Sequence, residues 1–152
     1  MLNVFVDSGF IVAIESKDNY SRQAKEVFNY LDEKRIGLER FIISDYILIE
    51  SFQLIQQRAG FQKALNAYHK YNSNCIICST DKRIIESAIR TKLSSFINHR
   101  TQQPPIGLVD AISLVFMERY HTPWILSFDD GFDRIPLVKR ISQRNGVDGL
   151  IL

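Results

Sequence analysis

Short, almost wholly apolar runs recur along this chain at wide intervals, and stretches of helical periodicity fill the gaps between them. The runs are Leu2–Val6, Phe41–Ile43, Cys75–Cys78 and Trp124–Leu126. A strand with one face in water alternates apolar and polar residues. These runs do not alternate, so they read as strands covered on both faces, the usual state of a parallel sheet. Between them, Ala24, Val27, Phe28 and Leu31 fall on one helical face. So do Ile47, Leu48, Ser51, Leu54 and Ile55, and then Phe61, Ala64, Leu65 and Tyr68. Ile84, Ile85, Ala88 and Ile89 predict one long helix, with Thr80 or Asp81 as its cap. A further helix spans 108–120, with Ala111, Ile112, Val115 and Phe116 inward. Strands alternating with helices predict an α/β fold with a short, mostly parallel sheet flanked by helices.

The 152 residues suit one domain with a core of its own. Residues 98–107, with Gln102-Gln103-Pro104-Pro105 at their centre, read as a variable surface loop. Residues 141–152 read as a C-terminal tail. With 45% hydrophobic and 24% charged residues, the composition excludes a disordered or low-complexity chain. The net charge of +2 neither demands nor forbids a nucleic-acid partner. Cys75 and Cys78 form a lone C-x-x-C inside a strand, without the further ligands zinc requires. Two reduced core thiols, and hence a cytoplasmic location, are expected. No apolar run reaches the roughly 20 residues needed to cross a bilayer. An acid at position 7 interrupts the only apolar N-terminal stretch, so neither a leader nor a membrane partner is expected.

In an open parallel sheet, ligands bind beyond the carboxyl ends of the strands. Asp7 follows the first strand directly, and Asp129 follows the Trp124–Leu126 run after Ser127-Phe128. Glu50 shares a helix face with Ile47 and Leu54, and Asp110 stands between Val109 and Ala111-Ile112. Taken singly, each has a plain structural explanation. Asp110 and Asp7 are cap residues, Asp129 belongs to an Asp-Asp-Gly turn, and Glu50 is half exposed or paired with Arg58 or a lysine. Taken together they form a cluster that repels itself unless protons or a cation occupy it. Mg²⁺ or Mn²⁺ accepts such oxygen donors and supports phosphoryl chemistry. His69, His99 and His121 are scattered and carry no part of this reading. Positive charge for a phosphate backbone is available at Lys82, Arg83, Arg90, Lys92, Arg100 and Arg134, although most of these read as solvated helix faces. Which residues bind RNA stays open.

Four blocks in order resemble the PIN domain family. Val4-Phe-Val-Asp7-Ser8 resembles its opening strand, Asp and hydroxyl residue. Ile43-Ser44 with Glu50 resembles its second acidic position, and Asp110-Ala111 its third. Ser127-Phe128-Asp129-Asp130-Gly131-Phe132 resembles its last block, in which the spacing to Phe132 favours Asp129 over Asp130. The resemblance implies a three-layer sandwich and a Mg²⁺- or Mn²⁺-dependent endoribonuclease. It makes Asp7 and Asp110 the main metal ligands, with Glu50 and Asp129 completing the catalytic acids. Ser8 and Ser127 would hold carboxylates or waters. The compact members resemble the toxin half of VapBC pairs, which implies a homodimer, a small antitoxin partner and RNA substrates such as tRNA.

Other classes fit less well. A haloacid-dehalogenase-type phosphatase needs a second Asp where Gly9 stands. A receiver-like domain needs an acidic neighbour that Asp7 lacks. The alternatives that remain are a catalytically silent PIN-like domain that binds RNA or protein, and a PIN nuclease that is not a toxin.

Overall fold

The computed structural model describes residues 2–151. Strands β1 (Val4–Val6), β2 (Phe41–Ser44), β3 (Ile76–Cys78), β4 (Trp124–Leu126) and β5 (Lys139–Ile141) make one sheet in the order β3-β2-β1-β4-β5. Every neighbouring pair is parallel. The expected α/β architecture is what forms, and β5 adds a strand at one edge. β1 and β3 are each shorter by their first residues than the apolar runs that predicted them.

Helices α1 (Ser8–Glu15), α2 (Ser21–Glu33), α3 (Asp45–Ala59) and α4 (Phe61–Asn74) connect the first three strands. Helices α5 (Lys82–Ser87) and α6 (Leu108–Arg119) carry the chain from β3 back across to β4. Right-handed crossovers running in opposite directions from β1 put these two groups on opposite faces of the sheet. That is why β1 and β2 are buried along their whole length, as their apolar composition requires.

The long helix expected after Asp81 is not regular. α5 runs only to Ser87, passes into a π-helical turn at Ala88–Leu93 and ends in a 3-10 turn at Ser94–Phe96. Hydroxyl groups explain the break. Thr91 Oγ1 donates to the Ser87 carbonyl, Ser94 Oγ to that of Ile89 and Ser95 Oγ to that of Thr91. Side chains that bond back to the preceding turn compete with the helical ladder and bend it. Residues 97–107 carry no helix, and an isolated bridge between Asn98 and Gln103 closes their tip. In the stretch read as a tail, α7 (Arg144–Ile151) packs against α2 and buries Val147 and Leu150.

β1 sits at the centre, with its first-half partner β2 on one side and its second-half partner β4 on the other. This is the topological switch point of the sheet, where adjacent connections diverge and leave a crevice beyond the strand ends.

Candidate functional site

Sheet register brings the first two acids of the crevice together. Phe5 pairs with Ile125 and Val6 with Leu126. The ladder runs one step further, as the Asp7 backbone N–H donates to the Leu126 carbonyl at 3.0 Å. Ser127 therefore lands beside Asp7, and its hydroxyl donates to Asp7 Oδ2 at 2.8 Å. Ser127 Oγ also accepts from the Asp129 N–H at 3.0 Å, so one buried hydroxyl orients both strand-end acids. Asp7 is 8% exposed, and its Oδ1 accepts from the Ser8 N–H at 2.9 Å at the start of α1.

Glu50 arrives from the middle of α3, which packs on α1. The helix starts at Ser44, whose hydroxyl accepts from the Ile47 N–H. That cap fixes the phase that turns Glu50 toward the crevice. Ser8 Oγ donates to Glu50 Oε2 at 2.6 Å. Asp110 lies in the first turn of α6, where its Oδ2 accepts from the Gly107 N–H at 3.3 Å. Asp129 precedes a 3-10 turn, Asp130–Arg134, and its Oδ1 accepts from the Gly131 N–H at 2.8 Å.

These residues line one groove of about 370 Å³, formed by Asp7, Ser8, Gly9, Glu50, Gly107, Leu108, Val109, Asp110, Phe128 and Asp129. All four acids singled out in the sequence meet there, and Asp130 is not among the lining residues. Burial pushes the Asp7 carboxyl up to about 6, and the charges of Glu50 and Asp129 add to this against the bonds from Ser127 and Ser8. Burial pushes Asp110 up to about 7, reinforced by the charges of Asp7, Asp129 and Glu50 and opposed by the Gly107 N–H. The shifts record a cluster of carboxylates that withholds water and repels its own charge.

Among the described residues, no three His, Cys, Asp or Glu side chains converge closely enough to form a ready metal cage. The donor set still suits a small hard cation. Mg²⁺ keeps several waters and takes one or two carboxylates directly, so a full protein cage is not its habit. Asp110 Oδ1, Glu50 Oε1 and Asp129 Oδ2 accept no hydrogen bond from the described residues and point to unused donor capacity. Asp7 and Asp110 are the two whose carboxyls burial pushes furthest toward the protonated form, the condition that a bound cation would relieve.

The candidate cations fall elsewhere. None of Lys82, Arg83, Arg90, Lys92, Arg100 and Arg134 lines the acidic groove. Lys92 pairs with Glu118. Arg134 lines a separate hollow with Phe96, Pro104 and Pro105. Arg134 ends the 3-10 turn that follows Asp129 and faces that other hollow.

Three supports escaped the sequence reading. Arg140, on β5, donates from Nε and Nη2 to both Asp133 oxygens at 2.8 and 2.7 Å. Its Nη1 donates to the Ser127 carbonyl at 3.2 Å, which ties the edge strand to the loop carrying Asp129. The second is Gly131, where a Cβ would lie 2.5 Å from the Pro105 carbonyl oxygen. The 98–107 loop thus rests on the Asp129 turn, and only glycine permits the approach. Gly in an Asp-Asp-Gly turn was the available signal, though it named a turn and not a packing contact. Phe128, the third, is a groove wall that the sequence presented only as a spacer between Ser127 and Asp129.

A larger groove of about 620 Å³ lies between α6 and residues 135–138. It is mainly apolar, and its Lys92 and Glu118 neutralise each other, so it lacks the convergent unpaired polar groups of a reactive site. Cys75 and Cys78 are free thiols away from the acids, and burial pushes Cys75 up to about 12. Among the described residues, no helix is long and apolar enough to cross a membrane.

Comparison with known proteins agrees with this fold. The chain is similar in structure to Mycobacterium tuberculosis VapC20, described as a sarcin-ricin loop cleaving toxin. The TM-score is 0.66 at 20% sequence identity, over 84% of this chain and 91% of that one. No curated protein matches the sequence. The model of the PIN domain family matches residues 4–137, which include all four acids of the groove. The chain belongs to the PIN domain family.

Proposed function

We propose that this protein is a metal-dependent ribonuclease, a VapC-like toxin that hydrolyses RNA phosphodiester bonds at Asp7, Glu50, Asp110 and Asp129. One observation carries the reading: two desolvated carboxyls with raised pKa values face two further acids at the switch point of a parallel sheet. A purely structural cluster of this kind would be paired with arginine or lysine, and none lines the groove.

Asp7 and Asp110 would hold Mg²⁺ or Mn²⁺. When bound, the ion neutralises charge developing on a phosphate and lowers the pKa of an attacking water. Ser127 fixes the Asp7 carboxylate, and Ser8 fixes Glu50, so the acids keep their places when charge builds up. Asp129 and Glu50, each with an uncommitted oxygen, would orient the attacking water, and one of the two would accept its proton. The protein is expected in the cytoplasm, as a homodimer held inactive by a small antitoxin. The likeness to VapC20 supports a structured RNA as substrate, with tRNA and ribosomal RNA the first to try.

The test is cleavage of total tRNA and ribosomal RNA with Mg²⁺ or Mn²⁺, with EDTA, and with Asp7→Asn alongside. Discrete fragments that require both the metal and Asp7 support the proposal. Intact RNA in every lane, from folded protein free of inhibitor, sinks it in favour of a domain that binds without cutting.

A further inference from the structure

Phe128 does more than wall the groove. Its ring is stacked on Phe10, with centroids 5.5 Å apart and planes at 15°. Tyr20 stacks on it too, at 4.5 Å and 12°. The three rings form one column that runs from the core, where Phe10 is fully buried, past the acids to the surface, where Tyr20 is 47% exposed. Tyr20 thus stacks on Phe128 and still leaves about half of its surface to solvent.

Local bonds hold that outer ring in place. The Tyr20 N–H donates to Asp18 Oδ1 at 2.8 Å, and the Asp18 N–H donates to Ser21 Oγ at 2.9 Å. Ser21 Oγ donates onward to the Ser16 carbonyl, and Arg58 of α3 donates to Asp18 Oδ2 at 3.0 Å. A ring fixed in advance loses little freedom when something stacks on it.

We propose that Tyr20 is the outer platform of a base-stacking subsite, on which an unpaired RNA base next to the scissile phosphodiester continues the column Phe10–Phe128–Tyr20. This rests on the ribonuclease reading of the acidic groove. Every base offers a π-face, so stacking tolerates sequence and requires only that the base be unstacked from its neighbours. The subsite supplies affinity that the groove, rich in carboxylates and without cations, does not obtain from the phosphate backbone. It selects looped or single-stranded RNA over duplex, and purines over pyrimidines through their larger rings.

The experiment measures binding in the Asp7→Asn background with Mg²⁺, so that cleavage does not interfere. The probes are a short oligoadenylate and a ribose-phosphate oligomer of equal length without bases. Tyr20→Ala should weaken oligoadenylate binding about tenfold, the scale of one lost aromatic–base stack. Tyr20→Leu, which keeps apolar cover over Phe128, should lose as much, and Tyr20→Phe should bind like the parent. None of the three should alter binding of the baseless oligomer. Unchanged oligoadenylate binding by Tyr20→Leu, or an equal loss on both probes, overturns the subsite. The two readings fail separately. If the otherwise unaltered protein cuts no RNA, yet binding depends on both Tyr20 and the bases, the ribonuclease reading falls and the subsite stands.

Discussion

The rim beyond the strand ends has two halves, and both carry acids. On the β1/β4 side stand Asp7 and Asp129. On the β2/β3 side stand Asp45, directly after β2, and Asp81, shortly after β3. By position alone the two pairs are equivalent. Their surroundings are not. Asp45 accepts from the Thr80 N–H at 2.9 Å and from the Thr80 hydroxyl, and Asp81 accepts from the Ile84 N–H to cap α5. Asp45 ties the start of α3 to the segment after β3, Asp81 caps its own helix, and neither lines the groove. Asp7 and Asp129 share Ser127 and face Glu50 and Asp110 across one groove. An acid at a strand end is therefore weak evidence of chemistry. Convergence separates a site from a cap: four acids line one groove, whereas Asp45 and Asp81 bind only neighbouring backbone and hydroxyl groups.

The sharpest way to break this contrast is to neutralise one acid on each side. Asp7→Asn or Asp110→Asn should lower RNA cleavage by on the order of a thousandfold or more, because on the proposed mechanism each removes a direct donor to the ion. Asp45→Asn should leave the rate within about twofold, since nothing at that end of the rim touches the groove. Rates measured at saturating Mg²⁺ decide it. If Asp45→Asn proves as damaging as Asp7→Asn, the division of the rim is wrong.

Stability against pH should divide the two sides as well. Asp7 has an ordinary value of 3.8 and titrates at about 6 in the fold, and Asp110 rises to about 7. Between those limits the native state binds more protons than the unfolded chain, so the metal-free protein loses stability as pH rises. The contribution is complete below about pH 4 and gone above about pH 7. A shift of two units in Asp7 corresponds to on the order of 3 kcal/mol. Denaturant unfolding in EDTA at pH 5 and pH 8 measures it. Asp7→Asn should reduce the difference to the part that Asp110 contributes and Asp45→Asn should keep it whole, while Mg²⁺ at pH 8 should restore stability to the parent and to Asp45→Asn but not to Asp7→Asn. A parent protein more stable at pH 8 than at pH 5 without metal, by an amount Asp7→Asn leaves unchanged, contradicts the assignment.

How far the site could be read from the chain follows from what kind of signal each part left. The strands were legible because a strand covered on both faces must be apolar throughout, and Phe41-Ile42-Ile43 or Trp124-Ile125-Leu126 offers no other reading. Glu50 and Asp110 were legible because each interrupts an apolar helix face. β5 was not, since Lys139-Arg140-Ile141 is an edge strand with polar residues and no periodicity to speak of. Arg140 was invisible for the same reason. Its value lies in contacts with Asp133 and the Ser127 carbonyl that only sheet register creates. The column Phe10–Phe128–Tyr20 joins residues from three separate segments, and no local pattern announces such a meeting.

Gly131 offers a smaller effect on the groove side. A methyl group there meets the Pro105 carbonyl oxygen at 2.5 Å and Asp129 Oδ1 at 3.0 Å. Gly131→Ala should cost about 2 kcal/mol through this overpacking, and should lower activity more than stability because the displaced atoms belong to the Asp129 turn. Thermal unfolding beside cleavage rates tests this, and a variant as active as the parent would show that the loop can give way without moving Asp129.

The smallest effects come from truncating one acid on each side, and they are the most discriminating. Asp45→Ala removes both acceptors of Thr80 and leaves its half-buried N–H without a partner in the fold. That should cost about 1 kcal/mol of stability. Asp7→Ala deletes hydrogen bonds from Ser8 and Ser127 in the same way, yet it also relieves a buried, repelled charge. Its net effect in metal-free protein at pH 8 should therefore be near zero or stabilising, although Asp7 is the more deeply buried residue. Burial alone would rank the two substitutions the other way round. Their order in a denaturant titration without metal thus separates an acid retained for the fold from an acid retained against it.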